Sequence, residues 1–98
     1  MRNIYTPCYS IDEANEIGHF VMSKGYEGVK NDSYRYCDFW IKFSFNENLR
    51  HHNGIVYIGV SGCSMLIGKS NKYMKRYGSR PVKNSILFKK LLERYNYE

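Results

Sequence analysis

The sequence predicts an α+β fold with an N-terminal helix, a three-stranded antiparallel sheet and two C-terminal helices. Apolar residues repeat at helical spacing near the N-terminus, alternate with polar residues in the middle of the chain, and return to helical spacing after residue 69. A length of 98 residues is typical of one domain. We therefore expect residues 1–98 to fold as a single domain.

The first predicted helix covers residues 11–24. Ser10 and Glu13 have the spacing of a capping box, in which the serine hydroxyl accepts from the Glu13 N–H and the glutamate carboxylate returns to the Ser10 N–H. Apolar and small residues then recur every three or four positions. Gly25 follows as a helix stop, because glycine adopts the left-handed conformation that ends many helices.

The first predicted strand covers residues 34–45, where side chains of two kinds alternate. The side expected to face the core contains Cys37, Phe39, Ile41, Phe43 and Phe45. The other side contains Tyr34, Tyr36 and Trp40 at spacings of two and four. A row of aromatic rings can stack on unpaired bases. The alternative is that a helix packs over this face of the sheet.

The next two strands are predicted to form a hairpin. Residues 46–54 form a polar loop, and residues 55–60 and 63–67 are apolar enough to be strands. Ser61-Gly62 supplies a short turn between the two strands. These two strands complete the predicted antiparallel sheet.

Two helices are predicted to close the chain. Residues 70–77 place Tyr73, Met74 and Tyr77 on one side, and Gly78 ends the helix. Asn84 can cap a last helix over residues 84–95, whose Leu and Phe residues form an apolar stripe.

The excess positive charge is confined to the last third of the chain. Residues 69–98 contain nine Lys or Arg and two acids, a net charge of +7, whereas residues 1–68 contain six Lys or Arg and seven acids, a net charge of −1. Charge segregated in this way attracts polyanions, and nucleic acid is the most common of these. The alternative is a solvated basic face that only keeps the protein in solution.

These cations are the candidate binding residues. Lys72, Lys75 and Arg76 have the i, i+3, i+4 spacing that points side chains the same way on a helix. The predicted phosphate contacts are Lys69, Lys72, Lys75, Arg76, Arg80, Lys83, Lys90 and Arg94, and Tyr36 and Trp40 are predicted to stack on bases.

Two residue triplets and one arginine between residues 54 and 76 form a pattern of their own. Gly54-Ile55-Val56 is followed after nine residues by Leu66-Ile67-Gly68, and Arg76 stands eight residues after Gly68. Over residues 54–95 the pattern resembles the opening of the GIY-YIG nuclease domain. The resemblance implies a hairpin that carries both triplets, followed by a helix that presents Arg76, which would be the catalytic residue of a nuclease.

The sequence departs from the GIY-YIG pattern at the tyrosines. In that family the tyrosines of both triplets help to activate the attacking water, and here Val56 and Leu66 replace them. The family's metal-binding glutamate lies on a later helix, and Glu93 is the nearby acid in the matched region. Glu13 or Glu16 could supply a carboxylate only if the elements were rearranged. Without a carboxylate to hold a divalent ion, phosphodiester hydrolysis loses its main charge stabiliser.

The cysteines and the apolar runs indicate the cellular compartment in which the protein is expected. An odd number of cysteines at wide spacings (Cys8, Cys37 and Cys63) predicts reduced thiols and a cytoplasmic protein. Cys37 and Cys63 lie in predicted strands and are expected to be buried and inert. The longest apolar run, residues 55–60, is too short to span a membrane, and the N-terminus lacks the apolar core of a secretion signal. No Cys/His spacing typical of zinc occurs, so no metal site is predicted.

Three functions follow from these observations. The first is a non-catalytic nucleic-acid-binding module without a cofactor. The second is a small inhibitor of the phage type, whose basic segment meets an acidic surface of a host nucleic-acid-handling protein through tyrosine anchors. The third is a nuclease that depends on a metal ion such as Mg²⁺.

Overall fold

A computed structural model describes residues 3–26, 34–51 and 54–95. These residues form an α+β fold with four helices and a four-stranded mixed sheet. The elements in chain order are β1 (Ile4–Cys8), α1 (Ile11–Ser23), α2 (Tyr34–His51), β2 (Val56–Ser61), β3 (Ser64–Gly68), α3 (Asn71–Arg76), β4 (Arg80–Pro81) and α4 (Ser85–Tyr95). The predicted fold class is confirmed, but the sheet and the helices differ from the prediction in detail.

The strand order across the sheet is β3-β2-β1-β4. β2 and β3 form the predicted antiparallel hairpin, in which Ser61 lies opposite Ser64. β1 pairs antiparallel with β2 and parallel with β4. The prediction of a three-stranded antiparallel sheet was therefore wrong in the number of strands and in the direction of one pairing.

Alternation along the strands gives the sheet two differently covered faces. On the first face, Val56, Ile58 and Val60 of β2 are buried in one cluster with apolar side chains of α1, α2 and α4. On the second face, Tyr5 and Leu66 form a smaller cluster with Met74 of α3. Three helices thus cover the first face, and the short helix α3 lies on the second.

The segment predicted as the first strand is helical. Cys37, Ile41 and Phe45 are buried at spacings of four, whereas Phe39 and Phe43 are 59% and 43% exposed. Positions four residues apart share a side in a strand and also lie together on a helix, so these three residues fit both patterns. α2 also continues through most of the segment predicted as a loop, to His51.

Two strands were missed for physical reasons. β1 contains Pro7, which cannot donate to a sheet and so argues against a strand in the middle of a sheet. The structure accommodates it because β4 pairs only with Ile4 and Tyr5 and stops before Pro7. β4 is two residues long, which is too short to show any alternation.

The predicted ends of the helices are largely confirmed. The Ser10 hydroxyl accepts from the Glu13 N–H at 3.1 Å. The glutamate carboxylate does not return to the Ser10 N–H; it accepts from the Tyr9 N–H at 2.8 Å and from the Ser85 hydroxyl at 3.0 Å. Glu13 therefore joins the start of α1 to the start of α4. Asn84 accepts from the Leu87 N–H at 2.9 Å, as its predicted capping role requires.

The three cysteines are free, and they differ in exposure. Cys8 and Cys37 are buried, whereas Cys63 is exposed in the turn between β2 and β3, so the prediction that Cys63 is buried was wrong. Burial raises the pKa of both buried thiols from 9.0 to about 12, and the carboxylates of Glu13 and Asp38 add to the effect at Cys8 and Cys37 respectively.

Among the helices that the structure describes, none is both long enough and apolar enough to cross a membrane.

The helical form of α2 predicts opposite outcomes for two neighbouring substitutions. Ile41→Ala should lower the free energy of unfolding by about 2–5 kcal/mol, because it opens a cavity in the core. Phe39→Ala should lower it by less than about 1 kcal/mol, because that ring is largely exposed. Urea unfolding followed by circular dichroism measures both. Similar losses in the two variants would contradict the helical assignment, since both side chains face the core in the predicted strand.

Thiol labelling tests the burial of the cysteines. The thiolate is the reactive form, so at pH 8 we expect one fast-reacting thiol in the folded protein, Cys63, and three in denaturant. A chromogenic disulfide reagent counts them, and Cys63→Ser should remove the fast reaction. Because folding raises the pKa of Cys8 and Cys37, the stability that both contribute is complete below pH 9 and falls as the pH rises towards 12. A second fast thiol in the folded protein would contradict this arrangement.

Candidate nucleic-acid interface

A groove lies beside the edge strand β3, where α2 from the first face of the sheet comes close to the start of α3 on the second. Its volume is about 350 Å³. The α2 wall consists of Trp40, Phe43 and Ser44, the floor of Ile67 and Gly68, and the α3 wall of Lys69, Ser70 and Tyr73. We call this site the edge groove. It brings the predicted stacking residue Trp40 together with the predicted phosphate contact Lys69.

The α2 wall belongs to an exposed aromatic cluster of Phe39, Trp40 and Phe43. The Trp40 and Phe43 rings meet edge to face with centroids 5.4 Å apart, and the Phe39 ring lies 5.6 Å from Trp40. Trp40 is 37% exposed and Phe43 43%. Contiguous exposed apolar side chains commonly mark an interaction site. The predicted partner of Trp40, Tyr36, has a side chain outside the described residues.

The sequence pattern predicted Phe43 in the core and Tyr73 on the same side of a helix as Met74, and it indicated neither as a binding residue. The i, i+4 spacing of Phe39 and Phe43 was the available signal for the aromatic cluster, because on a helix it places the two rings beside each other. The signal became readable only once α2 was known to be a helix.

The α3 wall is held by a glycine and a cap. A Cβ atom at Gly68 would lie 2.4 Å from Cδ2 of Tyr73, so the glycine allows this ring to lie against the strand. The Ser70 hydroxyl accepts from the Tyr73 N–H at 3.1 Å and begins the helix. Burial raises the pKa of the Tyr73 hydroxyl above 10.0, with Tyr77 adding to the effect. The Tyr73 phenol therefore stays neutral at physiological pH and does not repel an anion.

Three of the predicted phosphate contacts lie on α3, the helix that begins at the edge groove. Lys72 and Arg76 lie on the side of α3 opposite the buried Met74, and Lys75 is also exposed. Within the described part of the chain, none of the eight predicted phosphate contacts forms an ion pair with an acid. Their charges are therefore available to an external anion.

The segment from Lys69 to Arg80 crosses the second face of the sheet. α3 leaves the edge strand β3 and leads to β4 at the opposite edge. Arg80 is exposed on β4, and Lys83 is exposed just before α4. Five predicted contacts thus follow one path over this face, which we call the α3 path: Lys69, Lys72, Lys75, Arg76 and Arg80.

The remaining predicted cations lie elsewhere. Lys90 and Arg94 are exposed on α4, which packs on the first face of the sheet. Their neighbour Lys89 donates to Glu16 at 2.8 Å. The structure therefore places the predicted cations on two sides of the sheet rather than on one.

Asn71 joins the start of α3 to the sheet through hydrogen bonds with two tyrosines. The Tyr5 hydroxyl donates to Oδ1 of Asn71 at 2.7 Å, and the Asn71 amide donates to the Tyr57 hydroxyl at 3.4 Å. The Tyr5 and Tyr57 rings meet edge to face at 5.7 Å. Burial, and secondarily Tyr57, raises the pKa of Tyr5. These contacts orient α3, and through it the cations of the α3 path.

The two residues that stand where the GIY-YIG pattern has tyrosines, Val56 and Leu66, are apolar and buried. Val56 lies in the first-face core, and Leu66 packs on the second face with Tyr5 and Met74. Neither places a polar group beside Arg76, which is exposed on α3.

The candidate carboxylates are engaged elsewhere. Glu13 and Glu16 belong to α1 on the first face, the opposite side of the sheet from Arg76. Glu16 pairs with Lys89, which lowers the pKa of its carboxyl, and Glu93 lies 3.5 Å from Lys24. In the ranges that the structure describes, no three His, Cys, Asp or Glu side chains group where they could hold a metal ion.

Comparisons of the chain with protein-family models, with curated proteins and with solved structures found no match. The geometry supplies two elements of one surface: an aromatic groove at the edge of the sheet and a row of exposed cations that begins in its wall.

The buried side chain of Tyr5 should stabilise the fold through its hydroxyl as well as its ring. Tyr5→Phe removes the hydroxyl that donates to Asn71, and we expect the free energy of unfolding to fall by about 0.5–1.5 kcal/mol. Thermal or urea unfolding measures the loss. Tyr9→Phe is the matched control, because Tyr9 is 64% exposed and should change stability by less than about 0.5 kcal/mol. Equal effects in both variants would contradict the structural role of the Tyr5 hydroxyl.

Proposed function

We propose that the protein is a non-catalytic nucleic-acid-binding module. The observation that carries the proposal is the edge groove, in which Trp40 and Lys69 line one site although they are far apart in sequence. Aromatic rings beside cations are the usual means by which proteins hold nucleic-acid strands without reading their sequence.

The phosphate contacts are proposed to lie along the α3 path. Each cation that neutralises a phosphate releases counterions, which makes binding favourable and dependent on salt. The exposed cations of this path form no ion pair with any acid that the structure describes. The cations of α4 are assigned no phosphate contact, because α4 lies on the other face of the sheet.

We also propose that the resemblance to the GIY-YIG domain reflects a nuclease-like hairpin and helix used for binding. The β2–β3 hairpin and the exposed position of Arg76 on the next helix support this proposal. The buried aliphatic side chains at Val56 and Leu66 favour binding over catalysis, because neither can activate a water.

A pair of charge-matched variants tests the location of the interface. If four of the five cations on the α3 path contact phosphates, the slope of log affinity against log salt should be about −3.6 on duplex DNA or about −2.8 on a single strand. The double variant Lys72→Gln/Arg76→Gln should flatten this slope by about 1.4–1.8. Fluorescence anisotropy of a labelled oligonucleotide at several salt concentrations measures it.

The control is Lys90→Gln/Arg94→Gln, which removes the same charge from the first-face side of the sheet. Its slope should stay within error of the unsubstituted protein. Equal flattening in both double variants would mean that net charge alone drives binding, and it would contradict a defined interface.

Two further results would replace the proposal. Absence of binding to any DNA or RNA at low salt would favour the inhibitor, whose target is a protein. Cleavage of a plasmid in magnesium that disappears in Arg76→Ala would favour the nuclease.

A further inference from the structure

We infer that the edge groove holds an unpaired nucleotide, so that the protein binds single-stranded nucleic acid in preference to duplex. The inference rests on the proposed function and assigns its ligand class. A base within a duplex has both ring faces covered by its neighbours, and its ring is therefore not available to Trp40. Only a strand with unpaired bases can place a ring inside the groove.

The size and walls of the groove suit one nucleotide. A volume of about 350 Å³ falls at the lower end of the range of sites that take small molecules, about 300–1,000 Å³. Trp40 and Phe43 offer exposed rings on one wall, and Tyr73 forms the opposite wall. A base can therefore contact aromatic carbon on the α2 side while its sugar faces α3.

The charge of the lining fits a nucleotide and not a neutral apolar ligand. The lining contains a lysine, Lys69, and no acid. Lys69 is exposed and stands where β3 passes into α3, next to the cations of the α3 path. The phosphate of the bound nucleotide would meet Lys69, and the phosphates that follow would meet Lys72 and Arg76.

Base stacking and phosphate contacts should contribute to affinity in ways that can be measured separately. Stacking on an aromatic side chain changes affinity by about 5- to 150-fold per base and does not depend on base identity. The phosphate contacts depend on salt and act on single strands and duplexes alike. The preference for single strands should therefore come from the α2 wall and persist at salt concentrations that weaken the phosphate contacts.

The protein contains one tryptophan, and it lies in the proposed site. Titration of the unmodified protein with a thymidine oligonucleotide at low salt should quench Trp40 emission to saturation. The matching duplex, and an oligonucleotide of the same length without bases, should leave the emission nearly unchanged. The abasic probe keeps the phosphates and removes the rings, so it isolates stacking from charge.

Substitutions then locate the effect. By anisotropy of a labelled thymidine oligonucleotide, Trp40→Ala should weaken single-strand binding by about 5- to 150-fold while duplex binding and the salt slope stay unchanged. Phe39→Ala is the matched control, because Phe39 belongs to the same aromatic cluster but does not line the groove. Circular dichroism and thermal unfolding confirm that both variants are folded, and a folded Phe43→Ala should repeat the result of Trp40→Ala.

The outcomes separate the inference from the function on which it rests. Equal affinity for single strand and duplex, with unchanged Trp40 emission, would overturn the single-strand inference and leave nucleic-acid binding intact. Failure to bind any of the three probes would overturn both. Quenching by the abasic probe equal to that by thymidine would also overturn the inference, because the base would then not enter the groove.

Discussion

The contact between α1 and α2 at Gly18 is the constraint on which the surface of this protein depends. A Cβ atom at Gly18 would lie 2.9 Å from Sγ of Cys37 and 3.1 Å from Cδ1 of Ile41, so the two helices approach each other at this point more closely than a side chain allows. The approach buries the Cys37 and Ile41 side of α2 in the first-face core. Because a helix has only one such side, the aromatic residues Trp40 and Phe43 are turned outward, where they form a wall of the edge groove.

The sheet separates the basic residues of α3 from those of α4, because the two helices pack on opposite faces. α3 is fixed on the second face by Met74 and by the hydrogen bonds of Asn71 with the two tyrosines. α4 is fixed on the first face by Phe88 and Leu92, which are fully buried. A chain whose basic residues are adjacent in sequence therefore presents them on two separate surfaces, and only the surface that α3 carries adjoins the aromatic groove.

We propose binding without catalysis because the candidate catalytic positions and carboxylates are used by the fold. Val56 and Leu66 are buried in apolar clusters, where an unpartnered hydroxyl would lose its hydrogen bonds with water. The carboxylates of α1 serve the fold instead, since Glu13 joins two helix starts and Glu16 pairs with Lys89. These apolar residues and carboxylates therefore stabilise the core and the helix contacts, whereas the cations of α3 are exposed.

The elements whose signals are local could be predicted from the amino-acid pattern alone. Ser10, Ser70 and Asn84 cap the helices that follow them, and the hairpin of β2 and β3 joins neighbouring strands, so a short window of sequence contains the necessary information. The packing of distant elements selected a helix rather than a strand for residues 34–45, because a four-residue spacing satisfies both periods until a packing partner is present. It also decided β1 and β4, whose pairing joins distant parts of the chain, and it alone placed Trp40 beside Lys69, since no local pattern encodes a contact between distant elements.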